Sequence, residues 1–118
     1  MDERRKLPRW EVNKEVKVWI PMTQGFSHFV LEDIHLKGMR VSFNRKLPHE
    51  KTVRMSFDMD NNYEFIKVET QICWRVENEQ RNCYGLSFSQ INEEAKQKID
   101  RYITANCYDQ IKNKWWSV

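Results

Sequence analysis

No run of apolar residues in this sequence approaches the roughly 18 that a membrane-spanning helix needs. The charged opening Met1-Asp2-Glu3-Arg4-Arg5 has no apolar targeting segment behind it, so the expected compartment is the cytoplasm, with no membrane span. Cysteine is scarce: Cys73, Cys83 and Cys107 form an odd set without a CxxC spacing, which argues against a disulfide framework and for reduced thiols. Histidine occurs only at His28, His35 and His49, scattered rather than at metal-ligand spacing, and no metal is expected. A GxxxxGK phosphate loop, an HExxH helix and a spaced nucleophile and base are all missing, so no catalytic residue and no enzyme activity are expected. No RNP-like string is present and the formal net charge is only +3, which makes a nucleic-acid polymer an unexpected partner. Repeats, low-complexity tracts and Gly/Ser/Pro linkers are also lacking, and 118 residues suffice for one core rather than two.

What is present is alternation. Val12, Val16, Val18 and Ile20 recur at period two with Lys14 among them, and β-branched residues at that period predict a half-buried strand that Pro21 ends. A second apolar stretch, Phe26 to Leu31, follows a Thr23-Gln24-Gly25 turn. Met39, Val41 and Phe43 alternate with Arg40, Ser42 and Asn44, and Val53, Met55 and Phe57 repeat the pattern before the turn signal Asp60-Asn61-Asn62. The longest alternation places Ile66, Val68, Thr70, Ile72, Trp74 and Val76 on one face, with Lys67, Glu69, Gln71, Cys73 and Arg75 on the other. Asn82, Tyr84, Leu86 and Phe88 share a face of a last strand, with Gly85 opposite, and Cys73 and Cys83 can meet on the outer surface.

The period then changes to 3.6. Asn92 is a helix cap followed by Glu93 and Glu94, whose charge favours a helix start, and Ala95, Ile99, Tyr102, Ile103 and Ile111 form the apolar stripe. Six strands followed by one helix predict an all-β architecture, a small six-stranded antiparallel β-barrel with a C-terminal α-helix shielding an end. Closure removes strand edges, which ranks it above the alternative, an immunoglobulin-like sandwich. The expected organisation over 1–118 is one domain: a flexible basic arm at 1–11, the barrel at 12–90, the helix at 92–111 and an aromatic tail at 112–118.

Two short segments carry the functional reading. Arg5-Lys6-Leu7-Pro8-Arg9 has the form RxxxR, extended by Arg4, and Asp33-Ile34-His35-Leu36-Lys37-Gly38 has the form (D/N)xSxxG with His35 at the Ser position. Together with the Tyr84-Gly85-Leu86-Ser87-Phe88 strand leading into a helix, their order resembles the PilZ family, from about residue 4 to about residue 105. The resemblance implies a PilZ-type barrel and binding of cyclic di-GMP, commonly as an intercalated dimer of ligand molecules, with no cofactor. Arg4, Arg5 and Arg9 are then expected to bind ligand, with Lys6 auxiliary, because a guanidinium fork suits phosphate and the guanine O6/N7 edge alike. Asp33 is expected to accept from a guanine N–H edge, His35 to line the site, and Gly38 to hold the turn, with a positive φ as the hypothesis.

The expected output is ordering of the arm and contact with a downstream effector protein. A second reading, a PilZ-like protein-interaction module that does not bind nucleotide, follows from His35 filling the place of the smaller Ser. Trp115 and Trp116 have two readings as well: packing back onto the barrel, or an exposed patch that docks a target or a second subunit as a homodimer.

Overall fold

A computed structural model describes residues 9–21, 25–60 and 62–107. Six strands come first in chain order: β1 (Trp10–Trp19), β2 (Phe26–His35), β3 (Gly38–Phe43), β4 (Thr52–Asp58), β5 (Ile66–Glu77) and β6 (Asn82–Gln90). One helix, α1 (Glu93–Asn106), follows them. All strand pairs are antiparallel and close a barrel in the order β1-β2-β3-β6-β5-β4. The sandwich alternative is thereby excluded. Closure rests on the short pairing of Lys17, Val18 and Trp19 with Asp58, Phe57 and Ser56.

The inward positions are those that alternation selects. Val16 and Val18 from β1, Phe29 and Leu31 from β2, Met39, Val41 and Phe43 from β3, and Val53, Met55 and Phe57 from β4 are all buried. Phe29 meets Phe43 edge-on and Phe57 at a tilt, each at 6.3 Å between centroids, which sets three rings in the barrel interior. Burying each such side chain contributes about 1.5–3 kcal/mol, the main stabilising term available to a barrel of this size. At one end of the barrel the α1 stripe Ala95, Ile99, Tyr102 and Ile103 joins the core. Asn92 caps α1 as expected, its side-chain oxygen accepting from Ala95 N at 2.8 Å. Ile111, expected on the stripe, lies outside the described residues. Cys107, the C-cap, is buried, and its Sγ lies 3.9 Å from the Glu11 carbonyl, tying the helix end to the start of β1.

One face of β5 departs from the expected alternation. A register shift between Ile72 and Trp74 inserts an extra residue against β6, so the strand changes phase at Cys73. Trp74 and Val76, expected on the core face, are 43% and 54% exposed, while Arg75 and Glu77 now pair with Tyr84 and Asn82. Cys83 faces Val76 rather than Cys73 in the register.

This reversal builds a polar clamp. The Tyr84 hydroxyl donates to Glu77 Oε2 at 2.9 Å and accepts from Leu47 N at 2.9 Å, fixing the β3–β4 loop. Arg75 stacks over the Tyr84 ring at 5.6 Å and donates to the Pro48 carbonyl at 3.1 Å. The hydrogen bond from Tyr84 holds the Glu77 carboxyl below the usual range, and burial pushes the Tyr84 phenol up. Tyr84→Phe leaves the Leu47 N–H without its acceptor, with an expected cost of about 1–3 kcal/mol in urea denaturation. A carboxyl with a lowered folded pKa stabilises above its unfolded value and loses that contribution as pH falls through the folded one. The stability of the parent chain should therefore fall more steeply on acidification through the carboxylate range than that of Tyr84→Phe.

Candidate functional site

Antiparallel pairing brings the two sequence segments together. Trp10 pairs with Ile34 and Glu11 with Asp33, so Arg9, one residue ahead, enters β1 beside the end of β2 where Asp33 and His35 lie. Arg4, Arg5 and Lys6 lie outside the described residues. A second irregularity follows in β1: the register shifts between Glu11 and Lys14, and Asn13 there has φ 49°, a left-handed conformation that Asn tolerates better than most residues.

In β2 the register also shifts, between Leu31 and Asp33, giving the strand one more residue than its partner. Two acids, Glu32 and Asp33, consequently reach the same cross-strand cation on β3. Arg40 Nη2 lies 3.0 Å from Asp33 Oδ2, and its Nε lies 3.4 Å from Glu32 Oε2. Arg81 approaches the other oxygen of Glu32 at 3.8 Å. Asp33 is 8% exposed and Glu32 16% by side chain, whereas Arg40 is 45% exposed. A buried carboxylate needs such a partner, because an unpaired charge out of water is costly.

His35 closes the β2–β3 hairpin from its side chain. Its Nδ1 accepts from Lys37 N at 3.2 Å, a contact two residues along the chain, which a Ser hydroxyl can make from the same position. With Nδ1 accepting, the ring proton belongs on Nε2.

Gly38 has no positive φ; among the described glycines only Gly25, at φ 80°, has one. The requirement is steric instead. A Cβ at Gly38 would collide with the Leu86 carbonyl of β6, and the same close approach is marked by Phe88 N donating to Lys37 O at 2.8 Å. A bare backbone is needed where β3 starts against β6.

Two further residues complete this outer face. The pairings Asp33 to Arg40, Arg40 to Gly85 and Gly85 to Trp74 form one continuous row across β2, β3, β6 and β5. The Trp74 indole occupies the space a Cβ on Gly85 would take. Neither Arg40 nor Trp74 was expected in the site. Arg40 carried a readable signal, since it alternates with the core residues Met39 and Val41. Trp74 did not, because the β5 bulge that turns it outward is not written in the local pattern. Gly85 offered the indirect one: glycine inside a strand marks close approach by another group.

A groove of about 830 Å³ lined by Trp19, Arg54, Lys67 and Asn92 among others lies on the β1-β4-β5 side. It contains none of the residues expected to bind ligand. An open sheet face that offers fork donors, a carboxylate and a ring needs no deep cavity, so chemistry favours the Asp33 row over the groove. Among the described residues no cluster of metal-ligating side chains occurs, and no helix is long and apolar enough to cross a membrane.

The PilZ domain family matches residues 3–105, nearly the whole chain. The chain belongs to the PilZ family. No curated protein sequence matches it. Among solved structures, the PilZ domain of Escherichia coli YcgR with c-di-GMP superposes with a TM-score of 0.70 at 14% identity, covering 98% of this chain and 100% of that one. YcgR of Escherichia coli in complex with c-di-GMP gives 0.68 at 13% identity over 98% of this chain and 51% of its own. The Bacillus subtilis inhibitor of motility MotI/DgrA gives 0.65 at 17% identity, over 95% and 53%. This PilZ chain thus spans about half the length of the longer structures it resembles. At such identities the likeness establishes the barrel and its terminal helix, while membership rests on the family match.

Proposed function

We propose that this PilZ domain is a non-catalytic receptor for cyclic di-GMP, which it binds on the outer face of β2 and β3. The observation that carries the reading is the pairing of Trp10 with Ile34 and Glu11 with Asp33, which sets Arg9 beside Asp33, His35 and Gly38. Family membership and the c-di-GMP complexes of the YcgR structures support the choice of ligand.

In this reading Arg9, with Arg4, Arg5 and auxiliary Lys6, grips phosphates and guanine O6/N7 edges through fork donors. Asp33 accepts from guanine N–H groups, and His35 donates from Nε2 while Nδ1 keeps the hairpin turned. The bare Gly38 backbone lets the sheet and ligand lie close. Trp74 supplies an aromatic face at the far end of the row, where base stacking contributes about 1–3 kcal/mol. Ligand stoichiometry of two per chain, as an intercalated pair, fits the breadth of a face that runs from Arg9 to Trp74. The arm is the segment through Arg9 rather than 1–11, because Trp10 and Glu11 are already paired in β1, and ordering it costs about 1–2 kcal/mol per residue. Charge-assisted bonds return about 1.5–3 kcal/mol apiece, so several must form together. The ordered arm then presents a new surface to a downstream effector protein, a disorder-to-order output.

A second reading is a PilZ interaction module without nucleotide. One observation favours it: Asp33 already holds a cation, Arg40, and His35 places a ring where the family carries a hydroxyl. Calorimetric titration with cyclic di-GMP, with GMP and linear dinucleotide as controls, separates the two. Saturable binding specific to the cyclic ligand is expected; its absence at physiological salt would leave the interaction module. His35→Ser, which can keep the turn contact and removes bulk, should bind at least as tightly as the parent chain. Weaker binding by that variant would mean that the imidazole itself contributes a bond to the ligand.

A further inference from the structure

We infer that Arg40 is a positioning residue of the ligand face: it holds Asp33 in accepting geometry and neutralises Glu32, and so decides whether this face admits an anionic guanine ligand. The inference rests on the cyclic di-GMP reading and deepens it.

The β2 bulge creates the need. It sets Glu32 and Asp33 against one cation, both largely buried, on the face where a ligand with two phosphates has to settle. Asp33 has a use there as an acceptor. Glu32 has none in the proposed contacts, and as a second carboxylate beside the phosphates it repels them.

Arg40 answers both demands from one side chain. Its Nη2 engages Asp33 through Oδ2 at 3.0 Å, so Oδ1 is the oxygen that turns to a guanine N–H. Its Nε engages Glu32 at 3.4 Å, and Arg81 at 3.8 Å covers the other Glu32 oxygen. Two acceptors on different residues require a fork with fixed spacing, which guanidinium has and ammonium lacks. Arg40 is also held in place from below, because its backbone pairs with Gly85, over which Trp74 lies. It therefore stands in the middle of the row that the ligand covers, between the carboxylates and the indole.

The test is calorimetric titration of the full chain with cyclic di-GMP at two salt concentrations, for the parent and for Arg40→Gln, Arg40→Lys, Glu32→Gln and the Arg40→Gln/Glu32→Gln pair. Arg40→Gln is expected to weaken binding tenfold or more, and Arg40→Lys to lie between it and the parent. Glu32→Gln alone should bind within twofold of the parent or more tightly, and in the double variant it should recover a large part of the Arg40→Gln loss. Losing Arg40 also leaves Glu32 unpaired in the fold, so the melting temperature of each unliganded variant is read beside its affinity, and Glu32→Gln, which leaves the Arg40 to Asp33 pair intact, reads the charge effect by itself. Arg40→Gln binding like the parent, or a double variant no better than Arg40→Gln, overturns the inference while leaving the receptor reading standing. A parent chain that does not bind overturns both.

Discussion

Arg9→Ala is expected to weaken cyclic di-GMP binding by about 10- to 100-fold, the largest effect of any single side chain among the described residues. Arg9 is the one residue of the RxxxR segment whose place beside Asp33 and His35 follows directly from strand pairing, through Trp10 and Ile34. Its fork loses at least one charge-assisted contact on truncation, about 1.5–3 kcal/mol, and each 1.4 kcal/mol is a factor of ten. Because the arm's ordering is repaid only by several contacts together, removal of one also loosens the others. The salt dependence of affinity should flatten at the same time, as one fewer cation meets phosphate. Thermal melting of the unliganded variant should match the parent, since Arg9 lies ahead of β1 and contributes nothing to the buried core. Unchanged affinity in Arg9→Ala would place the ligand elsewhere on the barrel.

Gly38→Ala is expected to fail for a different reason and to fail without ligand. The added Cβ meets the backbone carbonyl of Leu86, and a carbonyl in a sheet cannot rotate away as a side chain does. Strands β3 and β6 must separate at the start of β3, at a cost of about 1–3 kcal/mol or more. For a domain of this size that lowers the melting temperature by several degrees, measurable by circular dichroism. Gly85→Ala gives the internal comparison. There the atoms nearest to the Cβ belong to the Trp74 indole, a side chain that can swing out, so stability should fall less while the aromatic face of the site is lost. A Gly85→Ala chain that melts lower than Gly38→Ala would contradict this assignment of backbone and side-chain clashes.

Much of the barrel was legible in advance because the relevant signals are local. Val16 and Val18, Met39 to Phe43, and Val53 to Phe57 alternate at period two, and a strand with one face in the core has no other way to sort its side chains. The helix start was equally plain, since Asn92 caps through contacts within one turn. Asp33 and Gly38 could be picked out by motif, but the reasons for them could not. Gly38 is required by a carbonyl 48 positions along the chain, in Leu86, rather than by its own φ.

The site depended on tertiary structure wherever a bulge intervened. Two register shifts, in β2 at Glu32 and in β5 at Cys73, change which side of the sheet the neighbouring residues take. Each is defined by two residues facing one on a partner strand, a relation that no single segment contains. Alternation alone therefore put Trp74 in the core and Arg75 outside, and the bulge reversed both. The same relation set Glu32 beside Asp33 under Arg40. What the sequence by itself determined was the set of strands, the capped helix and the order of the binding motifs, because those are written in spacings of two to five residues. What only the folded barrel decided was the membership of the ligand face, because pairing across strands, and the extra residue each bulge absorbs, exist only when distant segments meet.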